Sequence, residues 1–140
     1  MPVVQQRANF RMIDQLRNDH DRLRDLADRL DRFLDSDAPP IDPEFSQLRW
    51  ILVRELSMHL ASERAALEAW RAKSRGNDHD LDFELDDAFM QHIVAWSGAT
   101  MSTRWKHYCE STRALLHRLR QRMEFEETSM FPAMGRRRFA

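Results

Sequence analysis

Five residues of types that bind metal ions recur at helical spacing along this chain of 140 residues. They are three histidines and two glutamates: His20, His59, Glu63, His92 and Glu126. Imidazole nitrogen and carboxylate oxygen together suit iron, manganese or zinc. Their types and spacing predict a metal site inside a bundle of helices, with ligands drawn from well-separated parts of the chain.

Some of the candidate ligands lie in pairs with a spacing of four, His59 with Glu63 and Arg122 with Glu126. Residues four apart share one face of a helix, so each pair points at the same part of the core. Burying carboxylates and imidazoles among apolar side chains is costly unless their charge and hydrogen bonding are compensated. A divalent or trivalent cation compensates both, and helix bundles commonly hold carboxylate-bridged di-iron sites in their cores.

The first two elements that must position these residues are amphipathic helices. From Phe10 to Leu34 the inward residues recur at steps of three and four. These are Ile13, Leu16, His20, Leu23, Ala27, Leu30 and Leu34. After a breaker at residues 36–40, Asp42 and Pro43 favour a second helix start, and Gly76 marks its end. Its inward residues are Leu52, Leu56, His59, Glu63, Ala66 and Trp70.

A third helix is predicted to start in the acidic segment 78–82, with the unfavourable Gly98 in its middle. Its inward residues are Leu85, Phe89, His92, Trp96, Ala99 and Thr103. The fourth helix, ended by Pro132 and Gly135, carries Leu115, Leu119, Arg122, Glu126 and Ser129. We place the turn between these two helices at residues 105–111.

The predicted fold is all-α, an antiparallel up-down-up-down four-helix bundle that forms one domain over residues 1–140, with a core at 10–134 and a basic tail at 135–140. In such a bundle, two inward residues lie at one height when they are equally far from the turn joining their helices. The midpoint between His20 and His59 falls on the breaker. The corresponding midpoints for His92 fall on the second and third turns. All four helices therefore contribute to one polar layer, roughly 28 Å from the turns at 1.5 Å per residue.

The composition of the chain favours a helical protein and gives no sign of a nucleic-acid or membrane partner. With 32% charged residues and only 3 glycines, it favours long helices over sheets, and a net charge of -1 gives no reason to expect nucleic acid or a membrane surface as partner. The single Cys109 excludes an intramolecular disulfide and is typical of a cytoplasmic protein. No Gly-rich phosphate loop or Cys-x-x-Cys pair is present, so an enzyme acting on an organic substrate is not expected.

The chain resembles the hemerythrin-like, or HHE cation-binding, domains over roughly residues 10 to 134. The matching segments are residues 18–20, 59–63, His92 and 126–132. The resemblance implies a non-haem iron site in an up-down bundle, with Glu63 and Glu126 bridging two metals. It gives ligand roles to His20, His59, Glu63, His92 and Glu126. Related domains carry or sense oxygen, respond to nitric oxide or handle iron, so a metal-binding sensor or carrier of O2 or NO is the expected function.

Arg122 stands where this family has a histidine. Arginine stays protonated and is not a metal ligand, but a guanidinium that donates to Glu63 or Glu126 can replace a cation electrostatically. We therefore expect a mononuclear site near His59, His92 and the two glutamates, or none. Arg122 can alternatively extend to the bundle end and leave the site open. A metal-free bundle would be an interaction or regulatory module. The remaining histidines are assigned to the surface: His79, His107 and His117.

Overall fold

The computed structural model describes residues 2–73 and 84–136, and within these ranges the chain is helical with no strand. The elements are α1 (Pro2–Leu34), α2 (Pro43–Lys73), α3 (Glu84–Ala95), α4 (Gly98–Thr103), α5 (Trp105–Phe125), a π-helical turn (Glu126–Met130) and α6 (Phe131–Arg136). No helix in the described ranges is long and apolar enough to cross a membrane. The predicted end of the second helix at Gly76, the start of the third at 78–82, and His79 lie outside the described residues, as do residues 137–140 of the predicted tail.

Helices α1 and α2 agree with the sequence prediction. Every residue of the two predicted inward stripes is buried, and the Asp42 carboxylate accepts the backbone N–H of Glu44 at 2.9 Å at the start of α2. Asp19 pairs with His59, whereas Arg29, further along α1, pairs with Glu44, earlier on α2. These two helices therefore run in opposite directions on either side of the breaker.

The third predicted helix is broken, and the prediction of its end was wrong. The chain leaves helical geometry at Trp96 and Ser97, and the Ser97 side chain accepts the N–H of Thr100 at 3.3 Å to cap α4. α4 ends at Thr103 and α5 begins at Trp105, so residues 105–111 are helix rather than turn. Serine followed by glycine is a better helix start than a helix middle, which explains the break.

This earlier turn changes which residues lie level with each other. Ala99 and Thr103, predicted to face inward, are exposed. The α3 residue as far from the Arg104 turn as Arg122 is Asp86 rather than His92. Asp86 indeed accepts a hydrogen bond from Arg122. The third helix therefore contributes a carboxylate, not an imidazole, at this height.

The fourth predicted helix continues past its expected end. α5 passes through the π-helical turn, in which the N–H of Phe131 bonds the carbonyl of Glu126, and then into α6, which extends to Arg136. Pro132 thereby falls in the first turn of α6, where a missing N–H is tolerated. The prediction that Pro132 and Gly135 end the helix was therefore wrong.

The same turn also shifts the inward register by one residue. Ser129, predicted to face inward, is exposed, and Met130 is buried in its place. The Thr128 hydroxyl donates back to the Glu124 carbonyl at 2.8 Å within this segment. π-Helical turns are rare and often occur at functional sites, and this one begins at Glu126.

The core is divided into two apolar clusters. The larger joins α1, α2, α3, α4 and α5 and extends from Leu23 to Met123. The smaller contains Ile13, Leu16, Ala66, Leu67, Trp70, Met130, Phe131 and Met134. The residues between the clusters are buried and polar, each at most 5% exposed: His20, His59, Glu63, Arg122 and Glu126. Their charge must therefore be compensated within the core or by a bound ion.

Candidate metal centre

Four of the predicted ligands meet in the polar layer. His20 comes from α1, His59 and Glu63 from α2, and Glu126 from the π-helical turn. One potential ligand atom of each lies within 4.8 Å of the others. All four side chains are buried, so the cluster lies inside the bundle.

The imidazole of His20 is held by a carboxylate on its outer side. Its Nδ1 lies 2.6 Å from a Glu127 oxygen, and Glu127 also accepts two hydrogen bonds from Arg24, at 2.9 and 2.8 Å. A carboxylate paired in this way accepts, so Nδ1 carries the proton. The opposite nitrogen, Nε2, therefore presents its lone pair to the cluster. Burial lowers the pKa of His20, despite the hydrogen bond to Glu127, which favours the neutral ligand form.

The Nε2 lone pair of His20 faces a second acceptor. It lies 2.9 Å from Oε1 of Glu126. The two atoms are close, yet their geometry makes no hydrogen bond, and neither has another partner among the described residues. Two buried acceptors at this distance need a shared proton or cation.

His59 repeats the arrangement. Its Nδ1 lies 3.1 Å from an Asp19 oxygen and its Nε2 lies 3.1 Å from a Glu63 oxygen. Burial by itself lowers the pKa of His59, but Glu63 and Asp19 outweigh it and the pKa is raised. A carboxylate behind a ligating imidazole fixes its orientation and raises its basicity.

Arg122 contacts both glutamates of the cluster. Its Nε donates to Glu63 at 3.0 Å and to Glu126 at 3.2 Å, and Nη2 donates to Glu63 as well. Its Nη1 donates to Asp86 at 3.1 Å. The guanidinium is buried, so it stays in the layer rather than extending to the end of the bundle.

The two glutamates of the cluster also interact with each other. Burial and the neighbouring Glu63 carboxylate raise the pKa of Glu126, although Arg122 opposes this. Burial of Glu63 acts in the same direction, but His59, Glu126 and Arg122 outweigh it and the pKa of Glu63 is lowered. Without a cation the pair therefore holds one proton, which a bound metal would displace.

The structure does not bring His92 to this cluster. Its Nδ1 lies 3.2 Å from the Ser111 hydroxyl and its Nε2 lies 3.2 Å from the Thr112 hydroxyl. Burial and the charge of Arg49 lower its pKa to about 4. The predicted position of His92 in the layer was wrong because it depended on a turn at residues 105–111.

A family profile described as the hemerythrin HHE cation-binding domain matches residues 11–134. The chain belongs to this family. Comparisons with curated proteins and with solved structures gave no match. The matched range includes the whole cluster and Arg122. The hemerythrin-like domain and its His/Glu cluster fit metal binding.

The cluster of this hemerythrin-like domain contains an unsatisfied pair of acceptors and, beside it, the guanidinium of Arg122. His20 Nε2 and Glu126 Oε1 form an unsatisfied pair of acceptors, and two imidazoles backed by carboxylates are suitable donors. A second cation would have to share oxygens of Glu63 and Glu126, and Arg122 already donates to an oxygen of each.

Three residues around the cluster were missed or given too little weight in the sequence analysis: Asp19, Asp86 and Glu127. Asp19 directly precedes His20 and Glu127 directly follows Glu126. Adjacent residues of a helix point in different directions, so a search for residues on the ligand face does not find them. Asp86 becomes identifiable only when the turn is placed at Arg104. His107 and His117 are exposed in the hemerythrin-like domain, as predicted.

Proposed function

We propose that this hemerythrin-like domain binds a single transition-metal ion through His20, His59, Glu63 and Glu126. Iron is the preferred candidate for this ion. The observation that carries the proposal is the contact at 2.9 Å between two buried acceptors, His20 Nε2 and Glu126 Oε1, without a hydrogen bond. Two imidazoles with carboxylates are a donor set that non-haem iron proteins use.

The proposed architecture is an antiparallel up-down-up-down bundle of α1, α2, α3 and α5, which forms one domain over residues 1–140. Ion pairs and hydrogen bonds between neighbouring helices support the opposite directions. Arg120 of α5 pairs with Asp28 of α1, whereas Arg113, earlier on α5, donates to the carbonyl of Leu34, later on α1. Arg64 of α2 pairs with Asp86 of α3, whereas Arg49, earlier on α2, donates to the carbonyl of Trp96, just after α3. We also propose a cytoplasmic location, because a chain with a single cysteine has no intramolecular disulfide and is typical of a reducing compartment.

The residues around the ion have distinct roles. Asp19 and Glu127 orient the two imidazoles, while Arg122 neutralises carboxylate charge where a second cation would otherwise bind. The two apolar clusters above and below the layer exclude water from it. Iron, when bound, would bind a small ligand such as O2 or NO reversibly. We propose that the domain senses or carries such a ligand.

A second candidate is a metal-free domain that acts as an interaction or regulatory module. The observation that favours it is that Arg122 already donates to Glu63, Glu126 and Asp86. In this alternative the arginine replaces the metal completely, and the bundle is stable without any ion.

The two candidates are separated by titrating chelated apo-protein with Fe(II) under anaerobic conditions, in competition with a chromophoric chelator. The first predicts one ion per chain in the wild type, loss of binding in His20→Ala, and unchanged binding in the exposed control His107→Ala. Equal, weak binding by all three proteins would favour the metal-free module.

A further inference from the structure

A polar pocket lies on the α1–α2 face beside the metal layer. Its volume is about 180 Å³, and the otherwise buried His59 is one of the residues that line it. Polar and flexible side chains form much of its wall: Gln15, Asp19, Arg22, Glu55, Met58 and Ser62. Because a buried metal site needs a path by which its ion arrives, a pocket lined by a proposed ligand is a candidate for that path.

The imidazole of His59 separates this pocket from the cluster. Its Nδ1 contacts Asp19, which lines the pocket, and its Nε2 contacts Glu63, which belongs to the cluster. The Asp19 side chain is 29% exposed and that of His59 only 2%. A cation in the pocket thus meets Asp19 first and reaches the cluster only past the His59 ring.

The chemistry of the wall suits a hydrated cation. Asp19 and Glu55 supply carboxylates, and the Gln15 amide holds the second Asp19 oxygen at 3.0 Å. Arg22 also lines the pocket, and it pairs with Glu55 at 3.0 Å. Asp19 is therefore the carboxylate of the wall on which no arginine contact is seen among the described residues. Oxygen ligands at the wall can replace part of the ion's hydration shell before the ion enters the core.

A larger pocket, about 380 Å³, lies on the α2–α3 face and is mostly apolar. Its wall includes Leu56, Leu60, Phe89 and Met90. The wall also carries Glu68 and Asp86, but Asp86 already accepts hydrogen bonds from Arg64 and Arg122. An ion moving along the apolar side chains would lose water without gaining replacement ligands from them, which is costly. Of these two pockets, the chemistry therefore favours the α1–α2 pocket for a cation.

We infer that the α1–α2 pocket is the entrance through which the cation reaches the cluster, and that Asp19 is its first ligand. This inference rests on the proposed metal binding. Asp19 holds His59 in place until a cation binds the Asp19 carboxylate. The hydrogen bond to Nδ1 is then released, and the His59 ring can turn to let the ion pass.

Two adjacent residues of α2 provide a matched test. Ser62 lines the α1–α2 pocket and Ala61 lines the α2–α3 pocket, and both are exposed. Uptake of Fe(II) is followed by anaerobic stopped-flow, and release is followed by transfer to excess chelator. Ser62→Trp should slow uptake and release by the same factor, about tenfold or more, and leave the Kd unchanged. Ala61→Trp should change neither rate. If Ser62→Trp folds poorly, Met58→Trp blocks the same pocket and can replace it in the test.

The role of Asp19 is tested separately with asparagine. Asp19→Asn should lower the uptake rate, whereas a residue that only orients His59 would raise the release rate and leave uptake unchanged. Asp21→Asn removes the same charge from the same helix at a side chain that is 83% exposed, and uptake should stay normal.

The outcomes also separate this inference from the function on which it rests. A wild type that binds no ion overturns the proposed function. A wild type that binds one ion, with uptake slowed by Ala61→Trp and not by Ser62→Trp, places the path on the α2–α3 face and overturns only the entrance. Unchanged rates in Ser62→Trp and Met58→Trp also overturn it.

Discussion

Replacing Arg122 by methionine should destabilise the metal-free protein strongly and make its stability depend on metal. Methionine keeps much of the length and apolar volume of the side chain but removes every hydrogen-bond donor. The wild-type guanidinium donates to Glu63, Glu126 and Asp86 at 3.0 to 3.2 Å, and its side chain is 3% exposed. The variant therefore leaves buried carboxylates without their counter-charge.

The magnitude follows from the burial of these partners. Removing one partner of a buried ion pair typically costs about 3–5 kcal/mol. For a chain of this size that corresponds to a fall in Tm of about 10–17 °C. Asp86 is 20% exposed and can be rehydrated, so most of the loss comes from the Glu63–Glu126 pair and its one buried charge. Protonation of both glutamates would remove the uncompensated charge and reduce the loss of stability. The stability of the variant should therefore be measured at neutral pH or above.

The assay is thermal unfolding followed by circular dichroism, with chelator and with Fe(II) under anaerobic conditions. A cation at about 1,000 times its Kd adds about 4 kcal/mol, and it should restore most of the stability that Arg122→Met loses. The control is Arg54→Gln, whose side chain is 66% exposed beside Glu55 and which should change stability by less than about 1 kcal/mol.

Arg122→His extends this experiment, because it adds a donor where the arginine stood. We expect its metal content to rise from one ion per chain to two. The reasoning would be refuted if Arg122→Met were as stable as the wild type with chelator present. It would also be refuted if Fe(II) failed to stabilise the variant.

Three further predictions concern residues around the cluster. Glu127→Gln should weaken metal binding by about 10–100-fold, because it removes the carboxylate that orients His20; chelator competition measures this, and unchanged affinity would contradict it. His92→Gln should leave the metal content unchanged, as elemental analysis can check. His92 has a pKa of about 4 in the fold against 6.5 ordinarily. The unfolded chain therefore binds more protons between these values, and stability should fall as pH drops through them. His92→Gln should flatten this dependence in urea unfolding, and an equally steep curve would count against it.

The helices of the first half could be predicted in detail because strong signals bound them. The breaker at 36–40 and the cap at Asp42 fix the turn, and the turn fixes the relative height of His20 and His59. The glutamate Glu63 follows from its spacing to His59. Periodicity and turn chemistry together were therefore sufficient for the α1–α2 side of the site.

The second half was harder because residues 96–105, where the chain turns, contain no proline and only one glycine, Gly98. The predicted turn lay several residues too late, so His92 was given the height that belongs to Asp86. The π-helical turn after Glu126 was also invisible to a search for helical spacing, which assumes a constant period. Hydrogen bonds to Asp19 and Glu127 depend on side-chain direction, which spacing alone does not determine.

The most direct test of the account is the metal content per chain, measured by plasma mass spectrometry on untagged protein from iron-supplemented cells, with an absorption spectrum of the same sample. The account predicts one ion per chain and no oxo-bridge bands. Two irons with such bands would contradict the role given to Arg122, and a chain that contains no metal and gains no stability from Fe(II) would contradict metal binding itself.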